Sequence, residues 1–354
     1  MQLGIQGSAR AATVAHGEWV VGNFRNAYGQ RAYRLYVPAG YAGQPVALLV
    51  LLHGCTQHPD DFAAGTRMNQ LADRDTFLVL YPEQSETAQQ RRCWQWFEPE
   101  HQERSQGEPA IIAGITRRIM RTYAVDPDRV YVAGLSAGGA MAVVLSITYP
   151  DLFAAVGVHS GLPYKAGEGL VSAWVAMRIG APSVELVGGP VRSRAVPLIV
   201  FHGDLDRTVS LANARQLVAQ WLRRHGLADD PMAAAQRLEP AFIRRGQVPG
   251  GHAYTTAVYR SADQTLIEQW TVHGLGHTWS GGSPAGSYVD PLGPDASAEL
   301  VRFFTQHVRL RRRAAVRQFL APERRSASRW LARIAGMCAA RLKRSAGPLR
   351  QRAA

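Results

Sequence analysis

Residues 45–54, PVALLVLLHG, are an unbroken apolar run that stops at a glycine. A strand with one wet face alternates apolar and polar residues. This run leaves no face for water, so it reads as a strand covered on both sides, as in a parallel sheet. Similar runs follow at FLVLYPE (77–83), RVYVAG (129–134), FAAVGVHSG (153–161), VPLIVFHG (196–203) and LIEQWTV (266–272). Helical apolar spacing fills the gaps at PAIIAGITRRIMRTYAV (109–125), AGGAMAVVLSITYP (137–150), LANARQLVAQWLRRHG (211–226) and PDASAELVRFFTQHV (294–308). Pro150 closes one helix and Gly226 another. Apolar strands alternating with helices predict an α/β fold with a mostly parallel central sheet flanked by helices. RAYRLYV (31–37) alternates and reads as a half-buried strand. No internal repeat is visible.

The 354 residues are 46% hydrophobic, enough to fill a full core. No apolar run approaches the eighteen or so residues of a membrane span. The start, MQLGIQGSARAATVAHGEWV, lacks the basic-then-apolar layout of a signal peptide. Retention in the cell, another export route or an upstream start all fit it. The net charge of +13 is not spread evenly. Residues 309–354 hold 14 Lys and Arg against Glu323, while residues 1–308 hold 26 bases and 26 acids. A neutral body gives no reason to expect nucleic-acid binding there. Within the tail, SASRWLARIAGMCAARLKR (326–344) reads as a basic amphipathic helix or as an arginine-rich segment without fixed structure. Either form is an expected contact for an anionic surface.

The expected organisation is a lead-in over 1–29, one domain over 30–308 and the tail over 309–354. Residues 162–195, rich in Gly, Ala and Val, could form a cap insertion in that domain. Of the three cysteines, Cys55 and Cys93 lie near the motifs below. They are either a disulfide or two free thiols. The cysteine spacing fits no metal site.

The chemistry-bearing stretch is VYVAGLSAGGAM (130–141). A G-x-S-x-G pattern is weak by itself and becomes specific between a strand and a helix. Ser136 sits at that junction. The tight turn would lift its hydroxyl above the sheet, and the Ala137 N–H at the helix start would face a developing oxyanion. Upstream, LLHGCTQ (51–57) ends a buried strand where a second oxyanion donor belongs. The Cys55 N–H is the first choice there and that of Thr56 the second. His53 reads as a brace for that loop. Downstream, FHGDLDRTV (201–209) offers two acids, Asp204 and Asp206, that the residues alone do not separate. HGLGHTWSGG (273–282) places His277 between glycines, while His273 lies nearer the strand. The order serine, acid, histidine fits nucleophilic catalysis of the Ser…Asp…His kind, which needs no metal or organic cofactor.

These stretches, with LLHGCTQHPDDFAAGTRMNQLADRDTFLVLYPEQ and RCWQWF, make the sequence resemble the α/β-hydrolase esterases of the poly(3-hydroxybutyrate) depolymerase type. The resemblance covers most of residues 30–308. It implies that Ser136 is the nucleophile, Asp206 the acid and His277 the base, with Cys55 lending its N–H to the oxyanion hole. It also likens Trp94, Trp96 and Trp279 to the apolar surface beside the family's ester site. From the residues alone, each is equally a core tryptophan. The implied substrates are hydroxyalkanoate polymers or oligomers. Feruloyl and acetyl-xylan esters are the enzymatic alternative, and a surface-binding protein using the basic tail is the non-enzymatic one. The family's usual linker and polymer-binding domain have no counterpart after residue 308, which puts solid polymer in doubt. An extracellular or periplasmic location follows from the resemblance, a cytoplasmic one from the absent export signal. The oligomeric state is not readable.

Overall fold

Strand β3 (Val46–Leu52) runs through the interior, with Leu48, Val50, Leu51 and Leu52 fully buried. It pairs in parallel with β4 (Leu78–Pro82) on one side and β5 (Val125–Leu135) on the other. Beyond β5 the parallel run continues through β6 (Ala155–His159), β7 (Leu198–Gly203) and β10 (Gln264–Val272). The computed structural model describes residues 16–181, 196–225, 239–261 and 264–309. Residues 182–195 of the expected cap and 310–354 of the basic tail lie outside them.

Two antiparallel additions complete a ten-stranded sheet of order β1-β2-β4-β3-β5-β6-β7-β10-β9-β8. At one edge β1 (Glu18–Asn26) and β2 (Gly29–Val37) form a hairpin. Its turn is held by the Tyr28 N–H donating to Asn26 Oδ1 at 2.9 Å, and Gly29 takes φ 128°. The expected lead-in over 1–29 therefore contains an edge strand. The alternation that one wet face should produce is weak because apolar side chains also stand on that face, Val21 being 69% and Trp19 39% exposed. At the other edge β8 (Phe242–Gln247) and β9 (Ala253–Ser261) pair antiparallel, and β9 joins β10. Within the described residues the expected strands and helices appear, with ends shifted by a few residues; the Gly226 stop and the basic helix expected over 326–344 lie outside them.

Each face of the sheet carries its own core. Helices α3 (Gly107–Thr122), α4 (Ala137–Thr148) and α6 (Ala212–Arg224) cover one face, through side chains such as Ile112, Leu145 and Trp221. Helices α1 (Pro59–Thr66), α2 (Met68–Asp75) and α7 (Ala296–Thr305) cover the other, through Phe62, Met68 and Phe303. Burying each such side chain stabilises the fold by about 1.5–3 kcal/mol. Helix α4 is apolar on nearly every side because it is walled in on all of them. It is held there by the turn that carries Ser136. The described part of the expected cap holds α5 (Leu170–Ile179), which packs on α6. A mostly parallel sheet with helices on both faces is the α/β-hydrolase arrangement, and it leaves the carboxyl ends of β3, β5, β7 and β10 facing one side.

Candidate active site

Ser136 lies between β5 and α4 with φ 56° and ψ −120°. A residue with a side chain avoids that region, so the turn stores about 1–3 kcal/mol of strain. The surrounding glycines permit it. A Cβ on Gly134 would stand 2.4 Å from the Gly138 carbonyl carbon, and one on Gly138 would stand 2.2 Å from Leu52 O. The turn is pinned by the Ser136 N–H donating to His159 O at 2.9 Å. Ser136 is the N-cap of α4, yet its side chain makes no capping hydrogen bond. The hydroxyl is left for other work and opens onto a pocket of about 480 Å³.

His277 follows β10 and lines the same pocket. Its Nδ1–H donates to Asp206 Oδ2 at 2.7 Å, which leaves Nε2 as the free ring nitrogen. Asp206 follows β7, and its Oδ1 accepts from Thr208 N–H at 2.9 Å and Val209 N–H at 2.8 Å. Burial by itself would raise this carboxyl. The His277 hydrogen bond, the His277 and His202 charges and the Val209 N–H outweigh it, holding Asp206 below the usual carboxylate value. His202 is fully buried behind the pair, 3.6 Å from Asp206 Oδ2, and its Nε2–H donates to Val209 O at 2.8 Å. Asp204 serves a different histidine. It accepts from His273 Nδ1–H at 2.8 Å and from Gly274 N–H at 2.7 Å on the exposed side of the turn. The two acids that the residues alone do not separate are separated by their partners.

The Cys55 and Ala137 N–H groups have no protein acceptor among the described residues, and both residues line the pocket. Thr56, the second choice as oxyanion donor, is removed from that role: its N–H donates to Arg91 O at 2.7 Å. The loop carrying Cys55 is fastened on several sides. A disulfide joins Cys55 to Cys93. Gln57 Oε1 accepts from Gly54 N–H at 3.0 Å, and its Nε2 donates to Asp61 Oδ2 and Ser287 O, each at 3.1 Å. His53 braces from beneath, with Nδ1–H donating to Gly54 O at 2.7 Å and Nε2 accepting from Gln84 N–H at 3.1 Å. Burial pulls its imidazole down to about 4, so it works as a neutral ring.

Gln84 links this brace to a buried charge. Its Nε2 donates to Cys93 O at 3.0 Å and to Glu108 Oε1. Glu108 also accepts from Gln95 N–H at 2.8 Å and from Arg31 at 3.1 Å. Burial opposes the charge of Glu108, but the His101 and Arg31 contacts outweigh it and hold the carboxyl below its usual value. On the opposite face, His159 accepts from Ser280 N–H at 3.1 Å, and burial takes it down to about 3. Sequence reasoning missed Gln57, Gln84, Glu108 and His159, whose partners lie far away in the chain.

The three tryptophans divide. Trp96 lines the pocket, stacked edge-on against Phe97 at 5.4 Å. Trp94 and Trp279 do not, and their expected place at the ester site is corrected. Trp94 is fully buried and donates to His53 O at 3.1 Å. Trp279 is 1% exposed, packs edge-on against Phe62 at 5.5 Å and donates to Ser297 Oγ at 3.1 Å. Each indole N–H has found an interior partner, which fixes the ring in the core. The rest of the apolar wall comes from Phe97, Leu135, Leu162 and Val209, and from Leu170, Ala173, Trp174 and Met177 of the expected cap. Among the described residues no His, Cys, Asp and Glu side chains cluster as a metal site would require.

A family model described as Esterase PHB depolymerase matches residues 31–240. Poly(3-hydroxyalkanoate) depolymerase C of Paucimonas lemoignei is 32% identical over 280 residues, 77% of this chain and 62% of that protein. Poly(3-hydroxybutyrate) depolymerase of Ralstonia pickettii is 28% identical over 69% of this chain and 50% of its own length. The chain thus spans between half and two thirds of these two depolymerases. Feruloyl esterase B of Neurospora crassa is 28% identical over 68% of this chain and 81% of that protein. Among solved structures, acetyl xylan esterase from Aspergillus awamori superposes with a TM-score of 0.60 at 20% identity, covering 78% of this chain and 94% of that one. At that identity the likeness speaks to the fold alone.

Proposed function

The chain belongs to the PHB depolymerase esterase family, and from that premise we propose that it is a serine hydrolase of carboxylic esters. The observation that carries the reading is one pocket holding both a strained serine and a histidine whose far nitrogen is held by a buried aspartate. In this mechanism Ser136 Oγ attacks the ester carbonyl carbon while His277 Nε2 takes its proton. Asp206 keeps the proton of the neutral ring on Nδ1 and balances the imidazolium that forms. The carbonyl oxygen becomes an oxyanion facing the Cys55 and Ala137 N–H groups, the second at the start of α4. His277 then gives its proton to the departing alkoxide. Water, deprotonated by the same nitrogen, releases the acid and restores Ser136.

The pocket volume suits a short acyl group or an oligomer end. Hydroxyalkanoate polymers or oligomers are the first substrate class, after the two depolymerases. Feruloyl or acetyl-xylan esters are the second, favoured by the fuller coverage of the feruloyl relative. The Cys55–Cys93 disulfide supports an oxidising compartment, extracellular or periplasmic. The test is hydrolysis of p-nitrophenyl butyrate, hydroxybutyrate trimer, methyl ferulate and acetylated xylan by the wild type and by Ser136→Ala. Wild-type turnover that vanishes in the variant supports the mechanism, and the best substrate ranks the classes. Folded wild type inert on all four refutes it.

A further inference from the structure

The pocket rim beside the oxyanion loop holds a cation, the guanidinium of Arg91. Arg91 lines the pocket, and among the described residues no ion pair joins its guanidinium. The neighbouring Arg92 already binds Glu86, at 2.8 Å. Among the described residues no acidic side chain lines the pocket; Asp206 sits behind His277. Gln89 stands next to Arg91 on the same wall. Its Oε1 accepts from Arg91 N–H at 2.7 Å and from Cys93 N–H at 3.0 Å. Those two bonds fix which end of the amide is which. The Nε2 end is left as a donor with no protein acceptor among the described residues. The segment is not a loose arm. The Cys55–Cys93 disulfide and the Thr56 N–H to Arg91 O bond tie it to the loop that presents the Cys55 N–H.

A fixed amide donor beside a guanidinium, on a pocket with no acidic side chain among the described residues, is a receptor for a carboxylate. Resting on the ester-hydrolase reading above, we propose that Arg91 and Gln89 form a carboxylate subsite, and that the preferred substrates are esters bearing a free carboxylate, such as hydroxyacyl oligomers that end in the acid. The anionic group is held at the rim while the ester carbonyl reaches Ser136. Short soluble oligomers, in which every molecule has an acid end, gain most from such a subsite. Chain interiors gain nothing from it.

The experiment compares kcat/KM for the 3-hydroxybutyrate dimer as the free acid and as its terminal methylamide, which keeps one ester bond and removes the charge. The wild type should prefer the acid by about fivefold at low salt, the scale of a solvent-exposed ion pair, and lose the preference near 0.5 M salt. Arg91→Gln should bring the ratio close to one, and Arg91→Lys should restore part of it. Gln89→Glu keeps the acceptor for the two backbone N–H groups but replaces the donor with an anion, so it too should abolish the preference. A wild type that cleaves p-nitrophenyl butyrate yet shows no acid preference overturns the subsite alone. So does a preference that survives Arg91→Gln. A wild type inert on p-nitrophenyl butyrate and on both dimers removes the ester-hydrolase reading itself.

Discussion

Gly138 is where the elbow and the oxyanion loop touch, and Gly138→Ala tests whether that contact sets the catalytic geometry. A Cβ there would stand 2.2 Å from Leu52 O and 2.5 Å from His53 O. Both are backbone atoms, at the last residue of β3 and the one after it, two positions before Cys55, so no side chain can swing away. Reaching an ordinary C···O contact of roughly 3.3 Å means parting α4 from that loop by about 1 Å. The displacement falls between Ala137 and Cys55, the two N–H groups proposed to share one oxyanion. A misplacement of about 1 Å at reacting groups costs on the order of 100-fold in rate. Overpacking of this kind destabilises by about 1–3 kcal/mol, with Tm falling about 2–4 °C for each. Gly276 supplies the contrast. A Cβ there meets nothing within 4 Å and its φ is unexceptional, so Gly276→Ala should leave Tm unmoved. The assay is kcat/KM on p-nitrophenyl butyrate with Tm from thermal unfolding. Gly138→Ala within twofold of wild type would refute the reasoning, because the elbow and loop would then be free to part without consequence.

Asp206→Asn should lower kcat by about 10⁴-fold, while Asp204→Asn, whose partners are the exposed His273 and the Gly274 N–H, should stay within about threefold; steady-state kinetics showing the reverse would transfer the acid role to Asp204. Opening the Cys55–Cys93 link, which spans 38 residues, should cost about 4 kcal/mol by loop closure, read in urea unfolding of the double serine variant; an unmoved midpoint would show the loop is held without it. His53 and His159 are buried neutral, down to about 4 and about 3. The unfolded chain takes up those protons below the ordinary histidine value near 6.5, so stability is full above it and drains as pH falls toward 4, by about 3 kcal/mol for His53 alone. Thermal unfolding against pH checks this, and a flat Tm between pH 6.5 and 4.5 contradicts it.

The parallel centre of the sheet was legible because strands buried on both faces have no polar alternation, and each ends where a glycine or a chemistry-bearing residue begins. Of the flanking antiparallel strands only β2, read at 31–37, was. In β1 and β8 one face meets water and the buried side is thin, with Ile243 55% exposed. Such strands carry a period-2 signal only where their neighbour covers them, and that neighbour is set by long-range pairing. The edge at β1 therefore passed for a lead-in, although its register with β2 runs from Glu18 to Asn26.

The same division runs through the site. Ser136 and His277 could be read from order because the proposed reaction asks for those residue types at strand ends, with glycines wherever the backbone must turn sharply, while the preference for Asp206 over Asp204 rested on the family resemblance alone. What orients them could not be read. Gln57 reaches Ser287 across 230 positions, Gln84 reaches Glu108 across 24, and the Ser280 N–H reaches His159 across 121. A glutamine or histidine carries no local mark of such a partner. Tryptophan shows the limit most plainly. Trp94 and Trp96 are two residues apart in one short segment, and only one of them faces the pocket. What sets Trp94 apart is the acceptor its indole N–H finds. For Trp94 that is the carbonyl of His53, beneath the oxyanion loop, so the residue expected to hold substrate instead holds the loop that would polarise it.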